Sequence, residues 1–199
     1  MLLETIIVRR VVVAAIIILA VVVLLRIITL MPKAIIALGA NLGKPAEALK
    51  AALADLEKVA GVVVKSVSPF YTTSPVESSG PDYVNAVALV ETTLMPMALL
   101  KVCQTIELAH GRVRPQGVIN APRTLDLDVI DYEGVTSDDP VLMLPHPRMH
   151  ERLFVLVPLA DICPGWQMQN GDAIEKTIET VKKMHPDQKI FTLFPKSMA

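Results

Sequence analysis

Residues 124–132, TLDLDVIDY, alternate polar and apolar side chains with a period of two. That period suits a β-strand with one buried face and does not suit a helix, whose period is 3.6. On such a strand Leu125, Leu127 and Val129 enter a core, and Asp126 and Asp128 share the opposite face. Their α-carbons then stand roughly 6–7 Å apart. Carboxylates that close raise each other's pKa unless a cation lies between them. The D-x-D pattern alone also fits a solvated strand face, so the surroundings decide. Arg112, Arg114, Arg123, Arg148 and Arg152 fall in segments flanking this strand, and guanidinium forks match phosphate oxygens two at a time. A site with few protein oxygens suits Mg²⁺, which keeps waters and shares substrate phosphates, and two such ions can clamp an in-line displacement. Acids for a metal and arginines for phosphates together point to nucleotide chemistry.

The rest of the chain narrows the class. Its 199 residues suffice for one domain with a sizeable core. A net charge of −1 gives no global basic field of the kind that gathers nucleic acid. Cys103 and Cys163 are the only cysteines. They make no disulfide framework, and they predict reduced packing thiols in a cytoplasmic setting. Much of the 52% hydrophobic content lies in the first 30 residues, where VVVAAIIILAVVVLL (Val11–Leu25) is bounded by Arg9, Arg10 and Arg26. A spanning helix needs roughly 20 apolar residues, and no small-residue cleavage site follows the run. Three readings of residues 1–30 stand: a membrane anchor, an extra apolar helix, or an upstream extension of a chain whose functional start is Met31. The last is favoured, with membrane association as the alternative.

After Met31 the chain reads as a βαββαβ unit. KAIIAL (33–38) is a buried strand, and 45–59 is a helix with an early proline and Leu49, Leu53 and Leu56 on one side. Val62–Val67 is a second strand, SPFYTTSPVESSGPDY a long irregular loop, 84–92 a third strand and 96–108 a second helix. Residues 111–122 form a loop, and 124–132 is the fourth strand. This order predicts an α+β, ferredoxin-like sandwich with an antiparallel sheet and helices on one face. Extra C-terminal helices follow at 153–162 and near 173–184. The expected organisation is an apolar extension (1–30) and a single domain (31–199).

Other motifs carry less. GANLGK (39–44) follows a strand and opens a helix, yet matches neither G-x-G-x-x-G nor G-x-x-x-x-G-K-[ST]. A structural turn with Asn41 as a helix cap is the simpler account, which leaves nucleotide phosphates to side chains and metal. His146 and His150 stand four apart before Glu151, but Pro147 breaks the helical face that a zinc pair requires. His110 and His185 read as solvated helix-end residues. Asn85, an amide among valines, needs a partner, whereas Tyr83 and Phe154 read by themselves as core aromatics.

PRTLDLDV, LPHPRMHERLFVLVPLADI, ALGANLG, FYTTSPV, PDYVNAV and IELAHGRVR taken together resemble the 6-hydroxymethyl-7,8-dihydropterin pyrophosphokinases of folate biosynthesis. The resemblance runs from about Lys33 to Trp166 and leaves residues 1–30 without a counterpart. It implies transfer of a pyrophosphoryl group from ATP to the pterin hydroxymethyl group, with release of AMP. It implies two Mg²⁺ ions on Asp126 and Asp128, and catalytic neutralisation of the transferred group by Arg112 and Arg123. For ATP it implies Gln104, Glu107, Arg114, Arg123, Val129, His146 and Arg152. For the pterin it implies stacking by Tyr83 and Phe154, ring-edge reading by Asn85, and backbone groups at Thr73, Ser74 and Val76. Pro115, Asn120 and Pro147 depart from the pattern, the first two in a loop that closes over ATP in the family. ATP and the pterin are the expected partners, and no obligate protein partner is evident.

Overall fold

The computed structural model describes residues 10, 12–21, 31–76, 80–113, 121–168 and 170–193. The chain divides into two units, residues 1–31 and 32–199. In the first, residues 10 and 12–21 are helical, and each is exposed where described. Among the described residues no helix is long and apolar enough to cross a membrane. Most of residues 1–30, and with them the choice among the three readings, lies outside the described residues.

In the second unit, β1 (Lys33–Ala40) is followed by α1 (Pro45–Glu57), β2 (Val62–Val67), β3 (Tyr71–Thr73), β4 (Tyr83–Thr92), α2 (Pro96–Ala109) and β5 (Asp126–Tyr132). The chain continues through a hairpin of β6 (Ser137–Asp139) and β7 (Leu142–Leu144), a 3₁₀ turn (Met149–Glu151), α3 (Leu153–Ile162), α4 (Ile174–Met184) and β8 (Ile190–Thr192). The main sheet runs β5-β1-β4-β3-β8, with β2 also paired to β4. Every pairing is antiparallel. Among β1, β2, β4 and β5 the order is that of the ferredoxin-like sandwich, as the sequence predicts.

Both faces of the sheet are covered. Ile36, Leu38, Ala86, Ala88, Leu125, Leu127 and Val129 pack with Leu49, Leu56, Leu99 and Cys103 of α1 and α2. On the other face, Ile35, Ala37, Val87 and Ile130 pack with Leu153, Leu156 and Leu159 of α3 and with Ile174 and Val181 of α4. The expectation of helices on one face is therefore extended: α3 and α4 close the second face and make three layers. The near-continuous burial of β1 and β4 has this cause, since a strand covered on both sides cannot afford alternation.

Three short elements escape the sequence reading. β3 lies inside the segment read as an irregular loop, β6–β7 is a separate two-stranded ribbon, and β8 adds an edge strand to β3. Helix α2 ends at His110, whose Nε2 lies 2.9 Å from Asp55 Oδ2. That histidine is thus paired to α1 rather than solvated.

Candidate active site

A cavity of about 370 Å³ is walled by the end of β1, the starts of β4 and β5, β3, and the segment 146–154. The sheet register fixes its floor. Asn85 on β4 pairs with Gly39 on β1, and Gly39 pairs in turn with Asp126 on β5. Asp128 pairs with Ala37, two residues along. Asp126 and Asp128 thus share the sheet face that α3 covers, while Leu125, Leu127 and Val129 are buried on the other. Gly39 is the low point of this row. A Cβ there would stand 2.8 Å from Asn85 Oδ1, closer than real Cβ contacts allow, and 4.0 Å from Asp126 Cβ.

At one end the two acids meet the arginines. Asp126 Oδ1 accepts from Arg112 and Oδ2 from Arg123. Arg112 also donates to the Leu125 carbonyl at 2.8 Å and lies 3.4 Å from Glu107. Arg123 donates through Nε to the Ala121 carbonyl. Burial raises the Asp126 pKa, but Arg112 and Arg123 together outweigh it and hold the carboxyl below the ordinary aspartate value. Asp128 has the opposite balance: burial, then the Asp126 charge, push it up to about 7. Two acids of one motif are thereby split into an ion-paired partner and a carboxyl that holds its proton near neutrality.

His146 completes this end. Its Nδ1 accepts the Arg148 backbone N–H at 3.1 Å, so the neutral ring carries its proton on Nε2. Burial, then the charges of Arg152 and Arg148, lower its pKa to about 4. At neutral pH it is an uncharged donor.

At the other end Asn85 is buried and donates through Nδ2 to Thr73 Oγ1 at 2.6 Å. That bond fixes the direction of the amide. Two rings line the cavity with it: Tyr83, with the Arg123 guanidinium 6.0 Å from its centre, and Phe154, with Arg152 at 5.4 Å. The Tyr83 hydroxyl is buried without a hydrogen-bond partner among the described residues.

The structure therefore gathers Thr73, Ser74, Val76, Tyr83, Asn85 and Phe154 in the same cavity wall as Arg112, Arg123, Asp126, Asp128, His146 and Arg152. Three residues stand behind the wall. Glu107 is buried, its carboxylate accepting the Leu127 N–H at 2.9 Å, so it points under β5 and toward Arg112. Val129 is in the core, and Gln104 is exposed on α2. Arg114, with Pro115 and Asn120, lies outside the described residues. Pro147 is exposed on the turn between His146 and Arg148.

Sequence reasoning missed two positioning residues. Gly39 was read only as a turn glycine. Asn41 makes no cap to α1. Instead its Oδ1 accepts the Arg123 N–H at 2.8 Å, its Nδ2 donates to the Pro81 carbonyl at 3.2 Å, and its own N–H donates to the Arg123 carbonyl at 3.0 Å. A buried asparagine bonded through its side-chain oxygen and its own N–H to the main chain of one arginine is a clasp for that arginine. The signal in sequence was its polarity directly after a strand.

Comparison with known proteins shows the family to which the chain belongs. Residues 35–164 match the family model described as 7,8-dihydro-6-hydroxymethylpterin-pyrophosphokinase. The chain is 40% identical over 143 residues to the 2-amino-4-hydroxy-6-hydroxymethyldihydropteridine pyrophosphokinase of Pseudomonas aeruginosa, covering 71% of this chain and 87% of that one. It is 39% identical over 166 residues to the protein of the same name from Haemophilus influenzae, covering 83% of this chain and all of that one. Among solved structures, a Plasmodium falciparum HPPK-DHPS with pteroate superposes with a TM-score of 0.61 at 12% identity, over 79% of this chain and 43% of that chain. That likeness speaks to the fold, and this chain spans less than half of that longer one. The chain belongs to the 7,8-dihydro-6-hydroxymethylpterin-pyrophosphokinase family.

Proposed function

We propose that this chain transfers the pyrophosphoryl group of ATP to the hydroxymethyl group of 6-hydroxymethyl-7,8-dihydropterin, giving the pterin diphosphate and AMP in folate biosynthesis. The observation that carries this reading is one cavity lined by both chemistries: an amide and two aromatic rings, and beside them two acids and four arginines, of which Arg123 and Arg152 lie over the rings.

The pterin lies between Tyr83 and Phe154, with its polar edge against Asn85. Thr73 holds the Asn85 amide so that one orientation faces the ring. Placed there, the hydroxymethyl oxygen points along the row toward Asp126. Its attack on the β-phosphorus forms the new O–P bond and breaks the bond to the α–β bridging oxygen, which leaves on AMP, while the hydroxyl proton is released to water. Arg112 and Arg123 stand where negative charge gathers on the transferred group, and His146 Nε2–H and Arg152 donate to phosphate oxygens. Positioning and electrostatics dominate such a transfer.

The acid pair fits magnesium. Asp128 is a buried carboxyl whose charge is opposed by Asp126, an arrangement that a divalent cation relieves. Two carboxylates are a small donor set, and among the described residues no cluster of three or more histidine, cysteine or acidic side chains is found. That suits ions completed by water and phosphate oxygens. Asp126 and Asp128 would hold two Mg²⁺ ions, which when bound neutralise the phosphates and draw the acceptor oxygen toward them. An ion on Asp126 would compete with Arg112 and Arg123 for its oxygens, and phosphate oxygens would offer those guanidinium groups alternative acceptors. With ATP as co-substrate, the domain 31–199 works in the cytoplasm.

The test is AMP formation from ATP and Mg²⁺ with and without the reduced hydroxymethylpterin. AMP released only when the pterin is present supports the reading, and release independent of it, or none, removes it. Asn85→Ala is expected to weaken pterin binding about tenfold or more while leaving ATP binding within twofold. Gly39→Ala is expected to reproduce that profile, because its methyl displaces the Asn85 carbonyl oxygen. Titration of each ligand separately checks both.

A further inference from the structure

The segment Asp187–Leu193 lies beyond the residues matched to the family model, yet it holds both walls of the pterin end. On one side, β8 pairs with β3, placing Ile190 opposite Thr73. Just before it, the Ser74 N–H donates to the Lys189 carbonyl at 3.1 Å, the Lys189 N–H donates to Ser74 Oγ at 3.0 Å, and Ser74 Oγ donates to the Asp187 carbonyl at 3.1 Å. Thr73, which holds the Asn85 amide, and Ser74 both line the cavity and are thereby tied to the C-terminal segment, by strand pairing and by the Ser74 hydroxyl.

On the other side stands Gln188. Its Oε1 accepts the Leu153 N–H at 2.9 Å, and its Nε2 donates to the Glu151 carbonyl at 2.8 Å. These two groups flank Arg152. They are the first amide of α3 and the last carbonyl of the 3₁₀ turn, the groups that a helix end leaves without internal partners. The residue at the N-cap, Arg152, makes no side-chain cap. Gln188 supplies the missing acceptor from 35 residues away in sequence.

We propose that Gln188 is a positioning residue for pterin binding, acting as a remote cap that sets Arg152 and Phe154 against the wall carried by Thr73 and Ser74. It touches no reacting atom. Its effect runs through the backbone at Arg152: the direction of α3 places the Phe154 ring, and the Arg152 guanidinium lies over that ring. Strand β8 and Gln188 of one short segment, the first beside Ser74 and the second at the start of α3, thus fix the width of the slot that receives a flat ring. This inference rests on the pyrophosphokinase reading above.

The experiment measures dissociation constants for 6-hydroxymethylpterin and for ATP on the full chain and its variants, 20 °C or more below each melting temperature, beside thermal melts. Gln188→Met keeps the side-chain length and removes both hydrogen bonds. It is expected to raise the pterin dissociation constant about tenfold and the KM for pterin in parallel, with ATP binding changed less than threefold. Gln188→Glu keeps the acceptor for Leu153 and is expected to bind pterin within threefold of the parent. Lys189→Ala, whose side chain is exposed and whose strap bonds are main-chain, is expected to leave both ligands unchanged. Pterin binding within twofold of the parent in Gln188→Met, whatever its melting temperature, would reduce Gln188 to a structural residue and overturn the proposal. Equal losses in the Met and Glu variants would overturn the cap as the device. An inactive parent chain would instead sink the pyrophosphokinase reading, so the two failures are separable.

Discussion

Asp128→Asn is expected to abolish turnover and, in the same molecule, to make the fold more stable above neutral pH. The loss of activity follows from the metal role proposed above: removing one anionic oxygen donor from a site with two should lower kcat by ~10²–10³-fold or more. The gain in stability follows from the folded-state pKa. Burial and the Asp126 charge raise the Asp128 carboxyl from 3.8 to about 7, so between those values the folded protein binds a proton that the unfolded chain has released. The contribution of Asp128 to stability is thus fully present below about pH 4 and is lost as pH rises through 7. Asparagine keeps the shape without the charge. Even one unit of that shift is about 1.4 kcal/mol, which moves the melting temperature of a domain this size by roughly 3–5 °C. Melts at pH 4 and pH 8 in the absence of Mg²⁺ check the claim: the variant should match the parent at pH 4 and exceed it at pH 8. An equal or lower melting temperature at pH 8 would refute the assigned electrostatics.

Asp126→Ala should also lose activity, with the opposite effect on stability. Arg112 and Arg123 both end on this carboxylate, and their side chains are only 9% and 15% exposed. Breaking one partner out of a buried pair costs about 3–5 kcal/mol because the remaining charge stays buried. Here the open cavity admits water, so ~2–3 kcal/mol is the reasonable expectation, seen as a fall of roughly 5–10 °C in melting temperature. Phosphate oxygens can replace the missing acceptor. Millimolar inorganic pyrophosphate should therefore raise the melting temperature of Asp126→Ala more than that of the parent, and equal shifts would show that the arginines do not seek phosphate.

The strand alternation at 124–132 announced that both acids share a face, and the structure agrees. It could not tell that one acid is clamped by two arginines and the other is left to shed its charge, because Arg112 and Arg123 approach from a loop and a turn. The longer elements were legible by length: α1 and α2 span enough residues to repeat their period, and β4 is a long, largely apolar run buried on both faces. β3 was hidden between prolines in a three-residue strand, too short to show alternation, and β8 gains its meaning only from the partner it pairs with. Tyr83 and Phe154 read as core aromatics and do pack against the core while lining the cavity, since burial and stacking surfaces use the same side chains. Asn41 looked like a cap because a polar residue before a helix usually is one. Its true partners, Pro81 and Arg123, are 40 and 82 residues away, and no local pattern reports such contacts.

The register across β4, β1 and β5 has a consequence for substrate choice. Asn85 and Asp126 occupy one cross-strand row with Gly39 between them, so their separation is two interstrand spacings, roughly 9.5 Å. Main-chain bonding sets that span, and side-chain drift can change it little. On the proposed placement of the pterin, the sheet behaves as a ruler whose zero is the heterocycle edge and whose mark is the reacting oxygen. An acceptor alcohol lengthened by one methylene would still dock its ring, yet its oxygen would overshoot by about 1 Å, enough to slow transfer by ~10²-fold. Discrimination of that kind shows in kcat while affinity stays nearly constant.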